Sequence, residues 1–270
     1  MSGRNSLWEV ITPDTTHYLL GVVHLLKPEH YPLAPAVERA YESAEVLVVE
    51  ADLPSVPPEE MARLTVSKLH YSLGRSLRGS VATRTYGLAK EIAAEFGLGE
   101  DQIDRVKPLT LAMILSHLAA RSAGFDENLG IDTYFLRRAR ADYKEVLPLE
   151  TAEQQLGFIG GVAPTAQEAS LLNTLTSFDK VVETQERVNR AWATGNMNAL
   201  EALLTGSASQ EIPEVSEVLI YRRNEAWLPR VEAYLSEGRG HLVAVGAAHL
   251  VGERGILRAL GGRGYDVRQQ

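Results

Sequence analysis

Residues 19–25 read LLGVVHL, and residues 244–250, near the opposite end of the 270-residue chain, read AVGAAHL. In each stretch an apolar run, typical of a buried β-strand, leads to a glycine, two small or apolar residues and a histidine. The glycine lets the backbone bend or lets another group approach closely. Because ligands of open α/β sheets bind outside the carboxyl ends of the strands, we expect His24 and His249 to lie at such an edge.

Two glutamates also come directly after predicted strands. The apolar run at residues 46–49 leads to Glu50, and the strand predicted over residues 144–149, with its apolar run at 146–149, leads to Glu150. A strand, a short helix and another strand follow one another within residues 17–50, a pattern typical of a βαβ unit with parallel strands. Both glutamates are therefore expected at the same edge as the two histidines.

This combination of side chains can bind a metal ion. Two imidazoles and a carboxylate are a ligand set used by catalytic zinc and non-haem iron sites. A divalent ion held by His24, Glu50 and His249 would keep one position open for water and lower the pKa of that water to about 7. A second carboxylate, such as Glu150, could act as general base or orient a ligand. These ligands do not distinguish manganese, cobalt, iron and zinc.

The remaining pattern predicts one α/β domain over residues 1–270. A central mixed sheet would be entered by an N-terminal β-hairpin. Helical spacing with glycine stops over about 57–125 and about 151–236 predicts two helical insertions that cover the strand ends. The repeated motif suggests that the two halves are related by pseudo-two-fold symmetry.

Composition excludes several classes of function. The net charge is -8 and no basic stripe is present, which argues against nucleic acid and against an anionic membrane surface as partners. The absence of cysteine excludes disulfides, a thiol nucleophile and zinc-thiolate or iron–sulfur sites. There is no Gly-rich phosphate loop and no Gly-x-Ser-x-Gly elbow, so a nucleotide enzyme and a usual serine hydrolase are not indicated.

The sequence leaves the compartment open. No apolar run approaches the ~20 residues of a membrane helix, and the first residues contain no apolar signal region. We expect either a cytoplasmic protein or an exported, periplasmic one whose signal or anchor precedes this sequence. The pattern does not indicate an oligomeric state.

The order of motifs resembles the TraB/GumN/Tiki family across almost the whole chain. The matching segments are LWEV (7–10), GVVH (21–24), YPL (31–33), EVLVVE (45–50), GID (130–132), LET (149–151), RN (223–224) and VGAAHL (245–250). The resemblance implies a fold shared with erythromycin-esterase-like and ChaN-like domains. For the Tiki branch it implies a divalent-metal-dependent peptidase, acting on a peptide or protein substrate, in which both Gly-x-x-His motifs and the strand-end glutamate hold the metal.

Those metal-binding roles correspond to His24, His249 and Glu50. Four further positions match the family pattern, and we expect them to contribute to catalysis: Asp132, Glu150, Arg223 and Asn224. Glu150 or Asp132 would assist with protons or orient a ligand. Arg223 with Asn224 would bind substrate or stabilise the developing oxyanion.

Each of these residues also has a purely structural interpretation. His24 and His249 could be hydrogen-bonded core histidines, and Glu50 could cap a turn or pair with an arginine. Glu150 could cap the helix that follows it. Asp132 could be a first-turn carboxylate favoured by the helix dipole, and Arg223 could make a salt bridge with a glutamate instead of binding a substrate carboxylate.

A different class of function is the main alternative. The same fold could serve a non-catalytic protein that binds haem or a peptide signal, and an esterase-like activity at the same site is a third possibility. His30, in the loop after the first motif, could be a neighbour of the site, whereas His117 lies on an apolar helical run and is expected to be structural.

Overall fold

A six-stranded mixed sheet forms the centre of the computed structural model, which describes residues 5–206 and 212–270. Its strands are β1 (Leu7–Ile11), β2 (Thr16–Val22), β3 (Val46–Val49), β4 (Glu145–Pro148), β5 (His241–Gly246) and β6 (Asp266–Gln269). Their order across the sheet is β4-β3-β5-β2-β1-β6. The predicted mixed sheet and N-terminal hairpin are confirmed.

Strands β4, β3, β5 and β2 run parallel, whereas β1 pairs antiparallel with both β2 and β6. In the β2–β5 pair, Gly21 lies opposite Val245 and Val22 lies opposite Gly246. The two similar motifs therefore occupy neighbouring parallel strands, with their glycines offset by one residue. β4 lies at an edge of the sheet, which agrees with the position of Pro148 near its end.

Helices surround this sheet. The α-helices are α1 (Pro35–Ser43), α2 (Pro58–Leu69), α3 (Thr83–Glu95), α4 (Glu100–Ile103), α5 (Pro108–Ser122), α6 (Ile131–Ala141), α7 (Ala152–Gly160), α8 (Pro164–Thr176), α9 (Val181–Ala193), α10 (Met197–Glu201), α11 (Pro213–Ser216), α12 (Arg222–Leu235), α13 (Ala247–Leu250) and α14 (Ile256–Gly262). A π-helical turn, Glu217–Tyr221, leads directly into α12. None of the helices in the described part of the chain is long and apolar enough to span a bilayer.

Both faces of the sheet are buried, as is usual for parallel strands between helices. On one face Leu242 and Ala244 pack in a cluster that includes Tyr41 of α1 and Phe135 of α6. On the other face Val243, Val245 and their neighbours pack with Trp227 and Val231 of α12. A separate cluster, centred on Leu115 of α5, joins α3, α5 and α8. The helices beyond the strand ends thus have a core of their own.

Candidate active site at the carboxyl ends of the strands

The carboxyl ends of β2, β3, β4 and β5 bring the predicted side chains to one place. His24 follows β2, Glu50 follows β3, and Glu150 lies two residues after β4. The backbone N–H of Glu150 donates to the carbonyl oxygen of Glu50 at 2.9 Å, so parallel pairing continues past the strands and sets the two glutamates side by side.

His249 and His24 are positioned by different local structures. β5 ends at Gly246, and Ala247–Leu250 form a short helix, α13, so that His249 is helical and not at a strand end. The helix fits here because Gly21 has no side chain, since a Cβ on that glycine would lie 3.3 Å from Ala247. The two motifs are therefore similar in sequence but different in local structure.

Arg223, in the first turn of α12, lies at the centre of the cluster. Its Nη2 donates to carboxylate oxygens of both Glu50 and Glu150, and its Nε also donates to Glu150 at 3.2 Å. Its Nη1 lies 3.2 Å from Nε2 of His249. Only 8% of the residue is exposed, and its guanidinium lies 4.5 Å from the ring centroid of Trp227. The structure thus shows Arg223 in a buried salt bridge with the two glutamates.

The electrostatic environments of the two glutamates differ. Burial raises the pKa of Glu50, but the neighbouring imidazole and guanidinium groups and the N–H of Gly246 outweigh it, and the net pKa is lowered. Burial dominates at Glu150 and raises the pKa of that carboxyl in spite of its bonds to Arg223. Trp227 also donates from Nε1 to Glu150 at 3.1 Å.

Each histidine is held by a partner on its Nδ1 atom. His24 Nδ1 lies 3.1 Å from Asp132 Oδ2, and His249 Nδ1 lies 2.7 Å from Asn224 Oδ1. Asp132 is brought there because the N–H of Ile131, at the start of α6, donates to the carbonyl oxygen of Val23 at 3.1 Å. A histidine that donates its other ring N–H to a carboxylate or carbonyl has the usual orientation of a metal ligand.

The histidines differ in exposure and charge. The side chain of His24 is 60% exposed, and the negative charge of Asp132 raises its pKa to about 9 against the opposing effect of desolvation. Burial lowers the pKa of His249 to about 3, so its ring is neutral near pH 7. With Nδ1–H given to Asn224, the lone pair of His249 lies on Nε2, which faces Arg223.

Imidazole nitrogens and carboxylate oxygens, the atoms that these side chains offer, are of the type that binds divalent metal ions. A Cβ added to Gly246 would lie 3.0 Å from Glu50 Oε1, 3.5 Å from His249 Cδ2 and 3.7 Å from His24 Nε2, so the three predicted ligands converge on the space above this glycine. As the side chains stand, no group of three or more metal-binding residues within 5–206 and 212–270 is arranged to hold an ion. The contact of Arg223 with His249 would have to open for Nε2 to act as a ligand.

The remaining predicted residues have structural partners as well. Thr151, not Glu150, caps α7, because its hydroxyl accepts from Gln154 N–H at 3.2 Å. Asn224 donates from Nδ2 to the carbonyl oxygens of His249 and Arg254, so its amide holds His249 in position.

Sequence reasoning did not assign a role to three neighbours of this cluster. Gln155 donates to Glu50 at 3.3 Å, and Trp227 contacts both Arg223 and Glu150. A Cβ on Gly130 would lie 2.5 Å from the carbonyl oxygen of His24, so only glycine fits. Trp227 stands four residues after Arg223 in a helical pattern, and that spacing was the one available signal.

A cavity of about 620 Å³ opens beside the cluster. This volume is within the range of ~300–1,000 Å³ that is usual for small-ligand sites. Its lining combines Glu50, His24 and Arg223 with apolar side chains of α5 and α7, one helix from each predicted insertion. His117 also lines it, whereas His30 lies in a different surface depression.

Known proteins that resemble this chain match it over nearly its whole length. The model of the TraB/PrgY/gumN family matches residues 6–269. Among curated proteins, the uncharacterized protein YbaP of Escherichia coli K12 and its Shigella flexneri counterpart are each 26% identical over 264 residues, covering 96% of this chain and 95% of each relative. No solved structure matches the chain.

Proposed function

The chain belongs to the TraB/PrgY/gumN family, and from this membership and the geometry of its site we propose that it is a metal-dependent hydrolase that cleaves peptides or proteins. The observation that carries the proposal is the pairing of both histidines through Nδ1. Asp132 and Asn224 bind the Nδ1 side of the two rings, so that Nε2 of His24, and Nε2 of His249 once its contact with Arg223 opens, can reach an ion beside Oε1 of Glu50.

In this proposal His24, Glu50 and His249 hold a divalent ion such as manganese, cobalt or zinc. When bound there, the ion supplies a Lewis acid that makes a water molecule nucleophilic near neutral pH. The neighbouring residues orient these ligands and set the charge around them. Asp132 and Asn224 orient the two imidazoles, because each fixes the Nδ1 side of its ring.

Arg223 and Glu150 form the charged surroundings of the reaction. Glu150 fixes Arg223 through Nε and Nη2, and Trp227 packs against the guanidinium. A guanidinium held in this way beside a cavity stabilises negative charge that develops on a substrate carbonyl oxygen. Arg223 also keeps Glu50 ionised in a buried position, since a buried carboxylate requires a cation.

A calorimetric titration of metal-stripped protein with Mn²⁺, Co²⁺ and Zn²⁺ tests the proposal. We expect near-stoichiometric binding by the wild type, a rise in Tm on binding, and loss of both in His24→Ala and in His249→Ala. His30→Ala is the matched control, because this histidine lies outside the site. If the wild type binds none of these ions, or if the two site variants bind as tightly as wild type, the metal-dependent mechanism is wrong.

A non-catalytic protein that binds haem or a peptide signal is the second candidate. It is favoured by the exposed ring of His24 beside a largely apolar cavity, and by the fact that Arg223 already neutralises the buried glutamates. Titration with haemin separates the two candidates. A Soret band that is lost in His24→Ala, together with no binding of divalent ions, would favour the haem-binding function.

A further inference from the structure

The cavity has two chemically different sides. The charged cluster lies at the strand ends, whereas the part of the lining contributed by α5 and α7 is largely apolar. We call this second side the apolar wall, and it consists of Met113, Ile114 and Leu118 of α5 with Leu156 and Ile159 of α7. Aliphatic surface that lines a concave space next to a reactive centre is typical of a site that binds an apolar group.

Met113 is the most exposed residue of the apolar wall. It is 47% exposed, although its neighbours along α5, Ala112 and Leu115, are buried. An apolar side chain left accessible to water at a concave surface gains free energy when a ligand covers it. Because the described residues leave about half of Met113 uncovered, its position in the cavity points to an apolar ligand as the group that packs against it.

Thr110 adds a polar group to the same surface. It lies in the first turn of α5 and lines the cavity, and only 8% of it is exposed. Its Oγ1 has no hydrogen-bond partner in the described part of the protein. Less than 1 Å² of this atom is exposed, and a buried hydroxyl without a partner is unfavourable, so rotation of the Thr110 side chain toward the cavity would let the hydroxyl bond to a polar group of a ligand.

The charges of the cavity exclude an anionic ligand on the apolar side. Arg223 is the only lysine or arginine among the described residues that line it, and Arg223 is already paired with Glu50 and Glu150. Glu50 and Asp132 add negative charge. His24, the other cationic side chain of the lining, is paired with Asp132, so a carboxylate or phosphate placed against the apolar wall, away from the strand ends, would meet no unpaired cationic side chain.

From these observations we propose that the cavity selects substrates with a bulky, uncharged apolar group beside the bond to be cleaved. The apolar wall binds that group, and Thr110 hydrogen-bonds to a polar atom next to it. This inference rests on the proposed function, since it names the substrate class of the same site. Hydrolysis of such an amide adds the hydroxyl of water to the carbonyl carbon and the remaining proton to the leaving amine.

Binding can be tested without turnover. The probe is N-phenyl-1-naphthylamine, a neutral apolar fluorophore, which is displaced by blocked tripeptides, acetyl-Ala-Leu-Ala-amide or acetyl-Ala-Asp-Ala-amide. We expect the probe to bind the wild type and the leucine peptide to displace it at least tenfold better than the aspartate peptide. Equal displacement by both peptides, or no binding of the probe, would overturn the proposal.

Variants of the apolar wall sharpen this test. Met113→Glu should weaken probe binding at least tenfold, whereas Met113→Leu should bind like wild type. Val66→Glu is the matched control, because Val66 is exposed on α2 and does not line the cavity. If Val66→Glu and Met113→Glu weaken the probe equally, the effect is not specific to the wall and the proposal is wrong.

Thr110→Val tests the hydrogen bond. It should leave binding of the neutral probe unchanged and weaken the leucine peptide by about three- to tenfold, the usual effect of one hydrogen bond. Its Tm should not fall, because the substitution removes an unpaired hydroxyl. Unchanged peptide binding would remove Thr110 from the site.

Glu50→Gln separates this inference from the proposed function. The variant should lose metal binding and hydrolysis but retain the probe and the preference for the leucine peptide. If no hydrolysis is found for the wild type while the preference persists, the proposed function fails and the selectivity of the cavity stands. If hydrolysis occurs but charged and apolar substrates are cleaved equally, the selectivity fails and the proposed function stands.

Discussion

The side chain of Arg223 determines how two carboxylates can be buried next to each other. Glu50 and Glu150 both accept from its guanidinium, and Glu150 is almost completely buried. Without the arginine, two negative charges would lie close together away from water, which raises the pKa of at least one of them. Removal of one partner from a buried pair typically costs about 3–5 kcal/mol, so variants at Arg223 report on stability as well as on chemistry.

A second residue-scale feature lies at the opposite edge of the sheet. His17 and His241 are fully buried at the amino ends of β2 and β5, and their rings stack with centroids 5.5 Å apart. Tyr234 also stacks against His241 with the same distance between ring centroids. Burial, and then the charge of His241, lowers the pKa of His17 from 6.5 to about 4.

His17 should therefore make stability depend on pH. In the unfolded chain it takes up a proton below its ordinary pKa of 6.5, but in the folded protein it does so only near pH 4. The unfolded state binds more protons between these values, so the free energy of unfolding should fall, by up to ~3 kcal/mol, as the pH is lowered through this window. Urea unfolding of wild type and His17→Phe at pH 7.5, 6.5, 5.5 and 4.5 measures the difference.

His30→Phe provides the comparison, because His30 is only partly buried and lies in a separate depression away from His17, so this variant should keep the pH dependence of the wild type. If His17→Phe loses as much stability between pH 6.5 and 4.5 as the wild type does, His17 is not the cause of the dependence.

At this scale the local sequence pattern indicated three residues of the cluster, whereas their partners Asp132, Asn224 and Arg223 were expected from the family resemblance. His24, Glu50 and Glu150 stand at ends of apolar runs, and such positions can be read from local pattern. The partners could not be read in that way. Asp132 meets His24 only because α6 docks on the end of β2, and this contact joins positions 108 residues apart.

At the scale of elements, α7 illustrates how a helix start positions the site. Thr151 caps it, and the N–H of Thr151 donates in turn to Gln154 Oε1 at 2.8 Å, which completes a capping box. The next residue in this turn, Gln155, donates to Glu50. The cap therefore fixes the direction from which the amide of Gln155 approaches the glutamate.

Thr151→Ala should lower the free energy of unfolding by about 1 kcal/mol, since it removes the side-chain acceptor of the cap. Thr151→Ser retains a hydroxyl at the same position and should change stability much less. Urea denaturation at neutral pH measures both variants. Equal losses for alanine and serine would mean that the hydroxyl does not stabilise the helix start.

Elements with a strong local signal were predicted well. The hairpin, the strand before Glu50 and the helix over 130–141 all appear in the structure, the last as Ile131–Ala141. The short helix α13 was not predicted, because residues 247–250 follow an apolar strand directly and four residues are too few for a helical period to show. Its position depends on packing against β2, a tertiary contact.

At the scale of the whole molecule, the C-terminal strand closes the sheet. β6 pairs with β1, with Val267 opposite Val10 and Gln269 opposite Trp8. The side chain of Gln269 also donates to the carbonyl oxygens of Asn5 and Gly195. Several distant segments therefore meet at this edge.

A chain that ends at Tyr265 should lose several kcal/mol of stability, because the edge of β1 becomes unpaired and buried apolar surface near Trp8 and Val10 becomes accessible. Urea unfolding and fluorescence of an apolar dye measure the two effects. Arg268→Ala is the control, since it removes only an exposed ion pair with Asp266 and should change neither quantity. A truncated chain as stable as wild type would contradict this prediction.

The order of the strands was beyond the reach of sequence reasoning. Apolar runs identify strands, but they do not reveal that β5 lies between β2 and β3, where Leu47 and Leu19 are opposite Leu242 and Val243. That arrangement follows from which faces pack best together over the entire chain. The convergence of the two histidines was expected from the general rule for α/β sheets, and Arg223 was expected at the site, whereas the neighbouring strands of the histidines and the central position of Arg223 became apparent only in three dimensions.

The insertion of β5 between β2 and β3 has a consequence for biosynthesis. A ribosome releases the chain from its amino end, and a nascent chain that stops before residue 241 already contains His24, Glu50, Glu150 and Arg223. It nevertheless lacks β5, which joins β2 to β3, and β6, which pairs with β1, so one edge each of β1, β2 and β3 is unpaired and the site is not assembled. Premature termination products would accordingly be inactive and prone to aggregate, and the mature arrangement is reached only after translation of the last motif.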